Sequence, residues 1–339
     1  MEIYYIFLKY FECYADLKEM RYGEMQYDEK ITFKDNKGRF VKPCPGTPRH
    51  VCCGYKIIDF AHGCTIGCRY CILTHYFNEN YPVVFKNLDR LLIEVEEYID
   101  TYDGFIRFGT GEFTDSLLFE GKIQVYEKLI PLIEKSSNSI LEIKTKTANI
   151  KNILKIKPHS RIMVSWSMNT DYIWKTLEPG AVSIDRRIEA ARNLMNEGYK
   201  LGFHFDPIII YNGWEEDYTD VIERIFKSID PDAIVYISLG ALRFIPEMLE
   251  IESFRNSFFV TGEFVRGQDN KMRYFRPIRV KLYRTLKKII CNYFDESRLY
   301  MCMESKEVWE DVFGIKDMDT TRLSNRLDRA CFKVFGFGN

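Results

Sequence analysis

Long apolar runs are missing from this 339-residue chain: no stretch approaches the roughly 18 to 20 residues that a bilayer-spanning helix needs. The amino terminus, MEIYYIFLKYFECYADLKEM, lacks the basic n-region and small-residue cleavage site of a signal peptide. Its short apolar patch is broken by Glu2, Lys9, Glu12 and Asp16. A surplus of one charge is missing too. Lys and Arg total 48 against 49 Asp and Glu, so no global cationic field draws the chain onto DNA, and at most a local basic groove remains. Internal repeats and low-complexity segments are absent. Ten cysteines without a secretory signal lead to the expectation of a cytoplasmic protein with no membrane partner, its thiols ligating metal rather than pairing as disulfides.

What is present is ample core material, 46% hydrophobic and 15% aromatic residues, enough for one large domain or two ordinary ones. The most informative segment is HGCTIGCRYC, His62 to Cys71. Gaps of three and two residues let Cys64, Cys68 and Cys71 converge from a single loop. Three thiolates on a [4Fe-4S] cube leave one iron open to a small molecule, whereas electron-transfer clusters generally use a fourth Cys. Structural zinc, with His62 as fourth ligand, also fits the residue types, but zinc sites favour paired C-x2-C knuckles. Unliganded core cysteines are the third reading.

The CxxxCxxC run, with Tyr70 before its last Cys, resembles the signature of the radical S-adenosylmethionine (SAM) superfamily. Two further stretches, SMNTDYIWKTLEPGAVSIDRRIEAA (Ser167 to Ala191) and GYKLGFHFDPIIIYNGWEEDY (Gly198 to Tyr218), resemble the spore photoproduct lyase family, bacterial DNA-repair enzymes that revert a thymine dimer. The similarity runs from about residue 50 to about residue 250. It implies a cluster on Cys64, Cys68 and Cys71, SAM as a second cofactor, and a flavodoxin or ferredoxin as electron donor.

Short apolar runs alternate with amphipathic stretches, the pattern of repeated βα units on a parallel sheet. Strands are expected at 55–61, 104–109, 140–145, 161–167, 200–207 and 233–239. Between them LDRLLIEVEEYI, IQVYEKLIPLIEK, IDRRIEAARNLMNEG and DYTDVIERIFKSI carry apolar residues at i, i+3, i+4. The expected fold is α/β, a partial (β/α)6 TIM-type barrel, also the radical SAM fold. The expected division is an N-terminal extension (1–54), the barrel (55–252), and a C-terminal hairpin and helical region (253–339). The cysteine loop after the first strand would lie at the C-terminal mouth, where barrels keep their chemistry.

By resemblance, Tyr70 packs near the adenine of SAM, and ordinary core packing is its alternative. In GTGEFTD, Gly109 to Asp115, the glycines allow close backbone approach and Glu112 can accept hydrogen bonds from an ammonium. The turn resembles the Gly-Gly-Glu element that holds the SAM amino group, so Gly111 and Glu112 are candidates, against a tight turn capped by Thr114 or Asp115. Lys146 and Ser167, at the ends of the third and fourth strands, match positions implied to contact the SAM carboxylate or ribose. Glu178 and Arg187 read as a structural ion pair. His204 and Asp206 alternate along one strand and share a face. They are candidates to handle substrate or protons, or they form an internal hydrogen-bonded pair.

Two departures stand out. The resemblance implies a hydrogen-donating Cys after the second strand and a Tyr after the third cluster Cys; this chain has Glu112 or Phe113 and Ile72 there. DNA-lesion repair and a non-DNA substrate (nucleotide, metabolite or peptide) therefore both remain open. Cys44, Cys52 and Cys53, with Cys302 and Cys331 downstream, have no counterpart. They could form a second iron–sulfur cluster (Cys44, Cys52, Cys53, Cys331), supply a donor thiol, or be buried cysteines. The segment KMRYFRPIRVKLYR, Lys271 to Arg284, interleaves cations with aromatics and suits nucleic-acid contact or an amphipathic helix. The reading is an enzyme that cleaves SAM reductively to a 5'-deoxyadenosyl radical, which abstracts hydrogen from substrate, with DNA or a nucleotide as partner. A non-catalytic metal protein is the alternative from another class.

Overall fold

A computed structural model describes residues 31–47, 49–77, 81–119, 121–260 and 263–337. Most of the expected N-terminal extension lies outside these residues. The core is an eight-stranded sheet. In chain order its strands are β1 (Val41–Pro43), β2 (Lys56–Ile58), β3 (Ile106–Gly109), β4 (Ser139–Thr145), β5 (Ile162–Ser167), β6 (Lys200–Ile208), β7 (Ile234–Ala241) and β8 (Leu299–Met301). The spatial order follows the chain order. Every neighbouring pair from β2 to β8 is parallel, and β1 runs antiparallel to β2. All six strands expected from the sequence are present. β4, β5 and β7 are buried along nearly their whole length, as strands covered on both faces must be.

The connecting helices are α1 (Leu88–Thr101), α2 (Val125–Lys135), α3 (Asp171–Leu177), α4 (Ile184–Asn196) and α5 (Trp214–Ser228). Thr170 and Ser183 open α3 and α4, their side chains accepting from the Ile173 and Arg186 amides. Along α4, Ile184, Ile188, Ala191 and Leu194 bury one stripe. α5 starts at Trp214, ahead of the expected Asp217, with Glu215, Glu216 and Asp217 all in its first turn. Carboxylates there favour the positive end of the helix dipole.

The sheet draws one strand from each segment expected to lie outside the barrel: β1 from the N-terminal side and β8 from the C-terminal side. It also curls. The Val51 amide, in the link between β1 and β2, donates to Glu304 O, just past β8, at 2.8 Å, although these strands form opposite edges. After β7 and a one-turn helix at Glu252–Arg255 come α6 (Arg276–Ile290), α7 (Lys306–Phe313) and α8 (Thr320–Phe335). The expected hairpin pairs Phe264–Arg266 with Met272–Tyr274, and Arg243–Phe244 adds a third strand. Among the described residues no helix is long and apolar enough to cross a membrane.

Candidate active site

The cysteine loop runs from Gly63 to Cys71, beyond the C-terminal end of β2, and neighbours clamp it at both ends. The Gly63 amide donates to Phe113 O (2.9 Å), and Thr114 Oγ1 donates to Gly63 O (2.7 Å). The Arg69 amide donates to Leu177 O, and the Gly180 amide to Ile66 O, each at 2.9 Å. Gly180 must be glycine here: a Cβ would stand 2.6 Å from Ile66 O and 2.9 Å from Ile66 Cα. The LEPG motif between α3 and α4 is thus the seat on which the thiol loop rests.

Tyr70, Lys146, Glu178 and Arg187 form a buried cluster behind this loop. Glu178 accepts from Arg187 Nη2 (2.5 Å), from Lys146 Nζ (3.1 Å) and from the Tyr70 hydroxyl. Burial pushes the Glu178 carboxyl up, but the charges of Lys146 and Arg187 and the hydrogen bonds outweigh it and hold it at about 2. Glu178 and Arg187 therefore make the expected ion pair. Lys146 is committed to the same carboxylate, with its ammonium 5.8 Å from the Tyr70 ring centroid. Ser167 is buried, and its carbonyl accepts from Arg187 Nη1 at 2.8 Å. Tyr70 and Cys71 line a cavity of about 260 Å³ at the barrel mouth; Lys146 and Ser167 do not.

Glu112 lines the same cavity and accepts from the Tyr55 hydroxyl at 2.5 Å. The GTGEFTD glycines have steric reasons: a Cβ on Gly109 would meet the Tyr55 ring at 2.8 Å, and one on Gly111 the Lys144 Cβ at 2.8 Å. Asp115 ties the turn to the end of β4, accepting from Thr145 Oγ1 (2.8 Å) and the Lys146 amide (2.6 Å).

His204 and Asp206 both line the cavity, but they do not pair with each other. His204 bonds Ser238 Oγ through Nδ1 and Glu142 Oε1 through Nε2, both at 2.6 Å. Glu142 also accepts from Ser165 Oγ and the Tyr236 hydroxyl, each at 2.6 Å. Burial pushes the Glu142 carboxyl up, yet His204 and these hydrogen bonds pull it to about 2. Asp206 binds Arg243 through two contacts, 3.0 and 3.1 Å; burial raises it, and the guanidinium brings it below the usual range. Burial would lower Lys144, but Glu112, Glu142 and Asp206 around it hold the ammonium charged. Glu142, Lys144, Tyr236 and Arg243 were not singled out from sequence. The alternation of Glu142 and Lys144 along ILEIKT is the same one-face signal that pointed to His204 and Asp206.

The thiols fit an iron–sulfur cluster by their chemistry. Cys64, Cys68 and Cys71 are unpaired cysteines on one loop. Burial pushes all three thiols up, so ionising them needs the positive charge that a bound metal supplies. His62, the possible zinc ligand, is engaged elsewhere, with Nε2 2.9 Å from Asp59 and its ring stacked on Phe77 at 4.4 Å. Among the described residues no three His, Cys, Asp or Glu side chains are placed to hold a single ion. A cube takes one thiolate per iron at separate corners, a wider arrangement than zinc demands.

The remaining cysteines regroup relative to expectation. Cys302, not Cys331, lines the cavity with Cys44 and Cys53, and Cys52 adjoins Cys53. Cys331 is buried on α8. The basic segment also differs from a nucleic-acid face. Arg273 is buried on Asp269 at 2.7 Å, Arg276 binds Asp311, Arg279 reaches Glu304, and Lys281 binds Glu215. Arg284 donates to Asp311 O.

The profile of the spore photoproduct lyase family matches residues 51–245. The chain belongs to this family. It is 30% identical over 177 residues to the spore photoproduct lyase of Bacillus subtilis (strain 168), covering 52% of each protein. Against the enzyme of Geobacillus sp. (strain Y412MC61) it is 30% identical over 175 residues, 51% of each. The chain thus spans about half the length of the curated relatives it matches. In three dimensions it superposes on a spore photoproduct lyase mutant holding AdoMet and dinucleoside spore photoproduct, with TM-score 0.72 and 22% identity over 85% of this chain and 88% of that one. A spore photoproduct lyase complexed with dinucleoside spore photoproduct gives TM-score 0.69 and 22% identity, covering 81% and 82%. At this identity the superposition speaks for the shared barrel.

Proposed function

We propose that this chain is a radical SAM enzyme of the spore photoproduct lyase type, with Cys64, Cys68 and Cys71 holding a [4Fe-4S] cluster. When bound, that cluster supplies the electron that splits SAM into methionine and a 5'-deoxyadenosyl radical, which abstracts hydrogen from substrate. The observation that carries the reading is the clamped three-thiol loop whose Cys71 lines a cavity at the C-terminal mouth of the barrel.

In this reading Glu112, steadied by Tyr55, accepts hydrogen bonds from the SAM ammonium, and Gly111 keeps the turn low enough for that approach. Tyr70 offers its ring to the cofactor while its hydroxyl stays on Glu178. Lys146 and Ser167 act from behind this wall by fixing Glu178 and Arg187. His204 and Asp206 are the substrate-facing groups, with Lys144 and Arg243 beside them. Such alternating charges suit a polar substrate such as a nucleotide, and a flavodoxin or ferredoxin would deliver the electron. A second reading, a substrate other than the thymine photoproduct, is favoured by Ile72 standing where the resemblance implies Tyr, and Glu112 or Phe113 where it implies Cys.

The test is anaerobic reconstitution followed by SAM and dithionite. Release of 5'-deoxyadenosine, abolished by Cys71→Ala, is expected; none from iron-loaded protein would overturn the proposal. Turnover of dinucleoside spore photoproduct then separates the two substrate readings.

A further inference from the structure

We infer that Cys44, Cys52, Cys53 and Cys302 form a second metal centre, an iron–sulfur cluster with four protein thiolates, at the seam where the two edges of the curled sheet meet. The four come from three places. Cys44 follows β1, Cys52 and Cys53 lead into β2, and Cys302 follows β8. β1 and β8 are opposite edges of the sheet, so these thiols meet only because the sheet closes on itself.

Backbone contacts hold the seam. The Val51 amide donates to Glu304 O (2.8 Å), the Cys44 amide to Tyr55 O (3.2 Å), and the Cys302 amide to Leu239 O (3.1 Å). Thr47 Oγ1 lies 3.2 Å from Met303 Sδ. Within this frame Cys44, Cys53 and Cys302 line one cavity, and Cys52, next to Cys53, has its Sγ 3.8 Å from where a Cβ on Gly46, two residues after Cys44, would stand. None is in a disulfide.

Soft thiolates select zinc, copper(I) or iron–sulfur clusters. Thiols that come from three separate segments, with no three ligands placed around a single ion among the described residues, favour a cluster whose metals sit at separate corners. Four cysteines cap all four irons of a cube, so this centre would be closed to substrate, unlike the three-thiol loop. Cys44, Cys53 and Cys302 line the same cavity as Cys71, which puts both groups of thiols on one chamber. The inference stands apart from the proposed function, because it rests on different cysteines.

The full chain, reconstituted anaerobically with iron and sulfide, is compared with a C64A/C68A/C71A variant and a C44S/C302S variant. About eight iron and eight sulfide per intact chain are expected, with about four of each in either variant, as two [4Fe-4S] cubes require. A C64A/C68A/C71A variant free of iron and sulfide, or holding zinc without sulfide, overturns the inference. A C44S/C302S variant free of iron, with the other variant loaded, instead overturns the proposed function. Should a variant fail to fold, the intact protein decides by electron paramagnetic resonance. Two reduced-cluster signals, only one of them altered by SAM, support the second centre; a single signal that responds to SAM, with about four iron per chain, refutes it.

Discussion

Gly180→Ala isolates the coupling between the LEPG motif and the thiol loop. Gly180 does not have a left-handed backbone, so by chain entropy alone alanine should stabilise the fold by about 0.4–1 kcal/mol. Sterics oppose this. The new Cβ would lie 2.6 Å from Ile66 O, about 0.8 Å inside the 3.4 Å at which ordinary contact begins. Both sides of the clash are backbone, and Ile66 is buried between Cys64 and Cys68, so neither can swing away. Overpacking of this kind costs about 1–3 kcal/mol, and the net expectation is a loss of about 1–2 kcal/mol with the loop displaced. Urea unfolding of the metal-free protein reads the first effect, and iron per chain after anaerobic reconstitution reads the second. Gly314→Ala is the comparison. It has nothing within 4 Å and φ +67°, so it should lose about 1 kcal/mol from backbone strain while binding iron as the parent does. A Gly180→Ala protein as stable as the parent, with full iron, would refute the argument.

Glu178→Ala should cost about 3–5 kcal/mol in urea unfolding, because it strands the buried Arg187 guanidinium and leaves Lys146 without its acid; a loss below about 1 kcal/mol would contradict that role. Glu142 is held at about 2, against an ordinary 4.5, so its stabilising contribution is complete above about pH 4.5 and is lost as the pH falls towards 2. Glu142→Gln should flatten stability across that window, as read by urea midpoints from about pH 5 to 2.5. Arg276→Ala, which removes an exposed pair with Asp311, should change stability by about 1 kcal/mol or less. It should leave the salt dependence of any DNA binding unchanged; a shallower slope would return this segment to the nucleic-acid face.

The three-thiol site was legible because its ligands lie within eight residues on one loop, where spacing alone limits their separation. The six central strands were legible for a similar reason: a buried strand and an amphipathic helix each repeat over a length a reader can see. β1 and β8 escaped because they are three-residue strands, too short to mark a period, unlike β2, which is as short but lies in the longer stretch YKIIDFA. The alternation of Glu142 and Lys144 was present in sequence, but nothing local says which face of a strand borders a cavity and which a helix layer. The Lys146 pairing with Glu178 was hidden for another reason. That carboxylate is 32 residues away, and a lysine after a strand looks the same whether solvated or buried.

Sequence by itself determined the parallel α/β plan, the three-cysteine loop and its place after the first central strand, since each depends on neighbours close along the chain. Only the tertiary structure decided that Cys302 rather than Cys331 lines a cavity with Cys44 and Cys53, and that Arg273, Arg276, Arg279 and Lys281 pair with carboxylates of the chain itself. Those outcomes depend on how far the sheet curls before its edges meet. Curling is a property of all eight strands packed together, and no local period records it.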